Sequence, residues 1–179
     1  MLRIQILLIS FLIVFASNIK SQNTDSLKRV VESRVNDSLK ADAMYSLADA
    51  YFDVNIDSSI YYYTSCIELT RKANYDILRY KALQDLSYYY VNNSDYVKAK
   101  EGYSECLEIA LNKNDSLLIT ASHSNLGNLY IQIELNDKAI YHFKEAGKYV
   151  DIKKYPGEAG KLYGRIGNFY LYQNYYNED

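Results

Sequence analysis

The sequence predicts an all-α protein built as a stacked array of antiparallel helix pairs, about three and a half of them. Three observations carry that expectation. The first is an internal repeat, Leu47-Ala48-x-x-Tyr51, Leu86-Ser87-x-x-Tyr90, Leu126-Gly127-x-x-Tyr130 and Ile166-Gly167-x-x-Tyr170, whose tyrosines lie 39, 40 and 40 residues apart. The second is a small-aromatic-small pattern at Ser59, Tyr63 and Cys66, at Ala99, Tyr103 and Cys106, and at Ala139, Phe143 and Ala146. Spacings of four and three put each trio on one helical face, so each unit is two helices. The third is composition: 49% hydrophobic residues, 23% charged residues and a single proline, Pro156, which leaves long helices uninterrupted.

The N-terminus carries Arg3, an apolar run from Ile4 to Phe15, and then Ala16-Ser17 before the sequence turns polar. An apolar run of about 12 residues falls short of the ~20 that a membrane-spanning helix needs. The order of charge, apolar run and small residues is that of a secretory signal peptide over residues 1–21, cleaved after Ala16 or Ser21, and it implies an exported, periplasmic or secreted protein. An uncleaved signal anchor is the competing reading. No cysteine sits just after the run, which excludes lipid attachment there.

A leading helix over residues 22–36 follows from Leu27, Val30 and Val31 at helical spacing, and would cover the first repeat. The repeats are expected at about 37–75, 76–114 and 115–155, with a fourth, truncated one over 156–179. In repeat one, Asp37-Ser38 caps a helix over 38–54, and its partner covers 58–73. Repeat two uses 77–91 and 96–112; repeat three uses 117–134 and 138–153. Short polar turns at Asn55-Ile56-Asp57, Asn92-Asn93-Ser94-Asp95 and Asn136-Asp137 supply side-chain acceptors for the free amides that open each second helix. The fourth first helix follows Pro156-Gly157 and stops at Asn177-Glu178-Asp179, where earlier units turn. On this reading Leu162, Ile166, Phe169 and Tyr170 lack a partner helix, and either the chain is a fragment of a longer protein or its last helix docks onto a partner or a second copy in self-association.

The Leu-small-x-x-Tyr frame with its small-aromatic-small partner resembles the tetratricopeptide repeat. The resemblance implies a right-handed superhelix whose first helices line a concave, peptide-binding groove. The unit departs from the usual ~34 residues. From Cys66 to Leu86, Cys106 to Leu126 and Ala146 to Ile166 is 20 residues each time, so the surplus extends the end of the second helix, the next inter-repeat loop and the start of the following first helix. Elongated repeats of this kind resemble the exported region of sensor and regulatory proteins in Bacteroidota. The family's large aromatic three residues before the Leu stands here as Met44, Leu83, His123 and Tyr163, so that slot is only partly kept.

The resemblance carries positions two, five and nine before each repeat tyrosine into the groove. The candidate binding residues are Tyr88, Asn125, Asn128, Lys161, Arg165 and Asn168, and Asn125, Lys161 and Arg165 match part of the carboxylate clamp of some family members. Gln84 and Tyr88 stand where a clamp would have Lys and Asn. Amide and cationic donors suit a carboxylate or acidic peptide; a hydrated polar face is the alternative. The 21 tyrosines bear on the same question. Runs such as Tyr61-Tyr62-Tyr63 and Tyr88-Tyr89-Tyr90 cannot all point inward, because helical neighbours differ by about 100°. Some rings must line a surface, and others extend helix packing.

Catalytic signals are weak, and no cofactor or metal is expected. His123 occupies a slot filled elsewhere by Met44 and Leu83, which assigns it to the core; His142 is expected to be solvated. Neither has zinc-ligand neighbours at the required spacing. The segment Pro156-Gly157-Glu158-Ala159-Gly160-Lys161-Leu162 is no phosphate loop, since Tyr155 replaces the first glycine and Leu162 the Ser/Thr. Cys66 and Cys106 sit at equivalent positions of successive repeats, whose helices stand ~8–10 Å apart, beyond the ~7 Å reach of a disulfide; two buried free thiols are expected. Asp-Ser-Leu at Asp25, Asp37 and Asp115 resembles an O-glycosylation signal of exported Bacteroidota proteins, but Asp-Ser at a helix start is ordinary helix capping, and that is the reading kept. A net charge of −2 without a basic cluster argues against nucleic-acid binding. The expectation is an exported protein- or peptide-binding module without catalysis; the alternative is the extracytoplasmic sensing part of a larger membrane-bound two-component or transcriptional regulator.

Overall fold

The computed structural model describes residues 23–176, and every regular element among them is an α-helix. The signal peptide expected over 1–21 and the terminal Asn177-Glu178-Asp179 lie outside the described residues. Helix α1 covers residues 23–32. It is followed by α2 (Asp37–Tyr51), α3 (Ile56–Ala73), α4 (Asp76–Asn92), α5 (Tyr96–Asn112), α6 (Ser116–Gln132), α7 (Asn136–Tyr149) and α8 (Pro156–Tyr176). The surplus of the 40-residue unit is helical. Only Asn74-Tyr75 separates α3 from α4, and only Lys113-Asn114-Asp115 separates α5 from α6, so the expected enlargement of the inter-repeat loop does not occur there.

Side-chain oxygens start most of the capped helices. The Oδ1 of Asn36 accepts from the Leu39 amide at 2.9 Å, that of Asn55 from Ser58 at 3.0 Å, and that of Asp115 from Leu117 and Leu118 at 3.0 and 3.1 Å. Asp95 opens α5 in the same way through Lys98. Three expectations shift. The cap of α2 is Asn36 rather than Asp37, which instead lies in the first turn where a negative charge suits the helix dipole. Asp25 lies inside the first turn of α1, ion-paired with Lys28. Helix α7 opens at Leu135 without a side-chain cap and ends at Tyr149, four residues short of the expected Lys153.

The helix ends repeat as faithfully as the starts. Asn74, Ser94, Asn114 and Glu134 adopt left-handed backbone, with φ between 51° and 59°, and none is a glycine. Around Ser94 and Glu134 the amide of the next residue reaches back to Tyr90 and Tyr130 at 2.9 Å, while their own amides bond Val91 and Ile131 at 3.0 Å. That double bond is the Schellman ending, which satisfies the last carbonyls of α4 and α6 and turns the chain for the next helix.

Contacts divide the chain into Met1–Ala82 and Leu83–Asp179, the division falling within α4. In the first unit α2 and α3 pack through Ala41, Leu47, Ala48, Tyr63 and Cys66, all buried. The Ser59 hydroxyl donates to the Ala48 carbonyl at 2.7 Å, and the Cys66 thiol to that of Ala41 at 3.5 Å. The tyrosine run resolves as helical geometry requires: Tyr63 is 2% exposed and Tyr61 65%. In the second unit one core joins Ala99, Tyr103, Leu126, Leu129, Tyr130, Ala139, Phe143, Ala146, Leu162 and Phe169. Leu162 and Phe169 are therefore not left without a partner, contrary to expectation. They are 1% and 4% exposed, with the Phe169 ring 6.3 Å from that of Phe143. Of the four residues in question only Tyr170 stays open, at 45%.

Glycine sets the closest approaches. A Cβ on Gly102 would stand 2.0 Å from the Ser87 hydroxyl, and one on Gly127 would stand 2.7 Å from the Phe143 ring. Only a hydrogen lets α4 meet α5 and α6 meet α7 at these depths. A cation also lies over the repeat tyrosine of each of the first three repeats. Lys98 stands over Tyr90 at 5.1 Å and Lys138 over Tyr130 at 5.4 Å. In unit one the equivalent position is Ser58, and Lys28 from α1 takes the role over Tyr51 at 5.6 Å.

Candidate binding recess

Two adjoining recesses lie wholly within the second unit. The larger, about 540 Å³, takes Tyr88 from α4, Tyr96 and Tyr103 from α5, Asn125, Asn128 and Gln132 from α6, and Arg165 from α8. The smaller, about 160 Å³, is lined by Gln84, Thr120, Ser124, Glu158 and Lys161, and shares Asn125 and Arg165 with the first. Counting back from the repeat tyrosines thus brings five of the six expected residues together: Tyr88, Asn125, Asn128, Lys161 and Arg165. Asn168 is exposed and lines neither recess.

The polar groups are donors of two strengths. Arg165 carries a permanent charge and a planar fork suited to a carboxylate. Lys161 is already engaged, its Nζ bonding Glu158 Oε1 at 2.8 Å one turn earlier, so the cation of the smaller recess that faces no carboxylate on its own helix turn in this way is the shared Arg165. Asn125 and Asn128 follow the period of three and therefore share one face of α6. The aromatic wall is Tyr88, 56% exposed, together with Tyr96 and Tyr103. Burial pushes the Tyr103 phenol above its ordinary range, with Cys106, Tyr88 and Asp85 acting in the same direction and Arg165 opposing them. The phenol stays protonated at all ordinary pH.

Tyr96, Tyr103 and Gln132 were not singled out as binding residues from the sequence. Tyr103 was legible as a packing aromatic, and a signal for more was the hydroxyl it carries where unit three has Phe143. His142 is a correction: it is half-buried rather than solvated, with its Nδ1 2.9 Å from that of His123 and its ring stacked on Tyr130. His123 is buried, as its repeat slot predicts. Cys66 and Cys106 are both buried free thiols. Among the described residues no group of three or more His, Cys, Asp or Glu side chains could hold a metal, and no helix is long and apolar enough to cross a membrane.

The sequence matches no family model and no curated protein. Solved structures do resemble it. The apo form of RapI superposes with a TM-score of 0.71 at 20% identity over 80% of this chain and 40% of that one. BtubC from P. vanneervenii gives 0.66 at 16% identity over 91% of this chain and 76% of that one. The fold is a helical-repeat solenoid. This chain spans about two fifths of the length of RapI, and at these identities the likeness extends to the fold alone.

Proposed function

We propose that this chain is an exported tetratricopeptide-type protein that binds an extended peptide or a segment of a partner protein, without chemistry of its own. One observation carries the reading: the 540 Å³ recess where Tyr88, Asn125, Asn128 and Arg165 converge. A guanidinium, two amides and a tyrosine wall offer a carboxylate partner, backbone partners and apolar area, which is the combination an acidic peptide needs. Export rests on the Arg3-led apolar run and the small residues after it.

The test is titration of acidic peptides with free C-termini against the purified chain and against Arg165→Ala and Tyr88→Ala. Both substitutions are at exposed positions, so folding is retained. Arg165→Ala is expected to weaken binding by about tenfold or more, as removal of a charge-assisted bond does. Amidation of the peptide terminus should cost wild type a similar factor and the Arg165 variant little. Equal affinity of both proteins for both peptides would sink the reading.

A further inference from the structure

Tyr103 holds the aromatic place of its repeat's second helix, the place of Tyr63 in repeat one and Phe143 in repeat three. All three rings are buried, and Phe143 meets the packing need without a hydroxyl. The Tyr103 hydroxyl is therefore surplus to packing. It makes no hydrogen bond to a described residue; what acts on the phenol is burial together with the neighbouring Cys106, Tyr88, Asp85 and Arg165. Nor is it a sealed, unpaired oxygen. A hydroxyl that is neither bonded nor sealed opens onto the space its ring lines, which is the larger recess. The residue around it is 4% exposed, so the phenol is a deep donor at the floor of that recess, beside the fully buried Leu129. Arg165 stands above it as an exposed side chain that forms no ion pair among the described residues. Asp85 also bears on the phenol but does not line the recess. A group that enters past the guanidinium thus meets the hydroxyl next.

We propose, resting on the peptide-binding reading above, that Tyr103 is the specificity-determining donor of this recess: its hydroxyl donates to one oxygen of a carboxylate on the bound peptide while Arg165 holds the other. A carboxylate taken out of water needs donors at both oxygens, since a buried acceptor left unmade is costly. The guanidinium supplies the counter-charge and the phenol the second bond. Because the phenol stays protonated at ordinary pH, it donates throughout. Its ring is fixed within the core formed with Leu126, Leu129 and Phe143, so little freedom is lost when the bond forms. An amide in the same place would leave the guanidinium without a counter-charge, and the pair therefore selects acid over amide. A peptide C-terminus and an Asp or Glu side chain present the same two oxygens, and the experiment separates them.

The probe is the tightest-binding member of a set of N-acetylated acidic peptides with free C-termini. It is also made with an amidated terminus, and with its Asp and Glu replaced by Asn and Gln. Each form is titrated by calorimetry against the purified chain and against Tyr103→Phe. The variant keeps the ring that Phe143 shows the fold accepts, so its melting temperature should be no lower than wild type. It should bind the parent peptide about tenfold more weakly, as loss of a hydrogen bond to a charged group does. That difference should vanish for one modified peptide: the amidated form if the carboxylate is terminal, the Asn/Gln form if it is a side chain. Equal affinity of both proteins for the parent peptide would overturn the role of Tyr103 and leave the peptide-binding reading standing. A loss that persists undiminished with both modified peptides would also overturn it, because the hydroxyl would then serve something other than a carboxylate. Failure of every peptide to bind wild type would overturn both readings together.

Discussion

His123 on α6 and His142 on α7 face one another through Nδ1 atoms 2.9 Å apart, so one ring must donate a proton that the other accepts. Such a pair tolerates two neutral rings or one shared charge, and a second proton breaks it. Burial holds both imidazoles below their ordinary range. His123 presses His142 further down, to about 4, while Glu145 acts the other way on both and Lys148 adds to the lowering of His123. In the unfolded chain both titrate near ~6.5. The unfolded chain therefore binds protons that the folded chain refuses, and the pair's contribution to stability is complete above that value and lost as pH falls toward 4. Melting curves between pH 7.5 and 4 should show the decline. His142→Phe keeps a ring against Tyr130 and removes a titrating nitrogen, so it should melt lower at neutral pH, because His123 loses its partner, and with a shallower pH slope. Parallel slopes for the two proteins would refute the assignment.

Gly127 and Gly167 are equivalent in the repeat and opposite in consequence. Gly127→Ala drives a methyl into the Phe143 ring, 2.7 Å away, and is expected to destabilise by about 1–3 kcal/mol. Gly167→Ala meets nothing and should stabilise by up to ~1 kcal/mol through helix propensity. Urea denaturation of the two variants checks both signs, and a shared sign would contradict the packing described for α6 and α7.

Glu134 holds φ 59° at the end of α6, a conformation that costs a residue with a Cβ roughly 1 kcal/mol and glycine little. Glu134→Gly should therefore raise the melting temperature despite the added freedom of the unfolded chain. Glu134→Val, branched at Cβ, should lower it. Calorimetry of the pair separates backbone strain from loss of the carboxylate, since both variants lose the charge.

Both cysteines are predicted to resist alkylation in the folded protein. Burial pushes the Cys66 thiol up to about 12, with Asp42 adding to it, and burial raises Cys106 further still, assisted by Glu105 and Asp85. The thiolate is the reactive species, so iodoacetamide at pH 8 should label neither site until denaturant is added. Rapid labelling of either site in buffer would show that its repeat opens locally.

The candidate recess was legible to the extent that it depends on register. Counting from Tyr90, Tyr130 and Tyr170 by the offsets that the resemblance supplies reached Tyr88, Asn125, Asn128, Lys161 and Arg165, because residues of one helix face recur at fixed offsets from a repeated position. The same count gave Asn168, which lies on α8 beyond both recesses. Tyr96, Tyr103 and Gln132 escaped because they come from a second helix and a helix end, and their convergence depends on how deeply α5 meets its neighbours. Lys161 was found, but its bond to Glu158 depends on side-chain geometry that register does not specify.

Periodicity determined the helix pairs, the buried trios such as Ala139, Phe143 and Ala146, the free thiols and the core place of His123, since each follows from which residues share a helical face. Tertiary structure decided what lies beside that face. His142, next to Phe143 in sequence and about 100° around the helix, was expected in solvent; α7 approaches α6 so closely at Gly127 that its flank is drawn into contact with His123. Leu162 and Phe169 were expected to lack a partner for want of a second helix, yet the core around Phe143 and Leu129 buries them, because a helix face needs apolar neighbours and not a particular partner. How close two helices come, and from which side, is set by the summed shape of both surfaces, and no single repeat carries it.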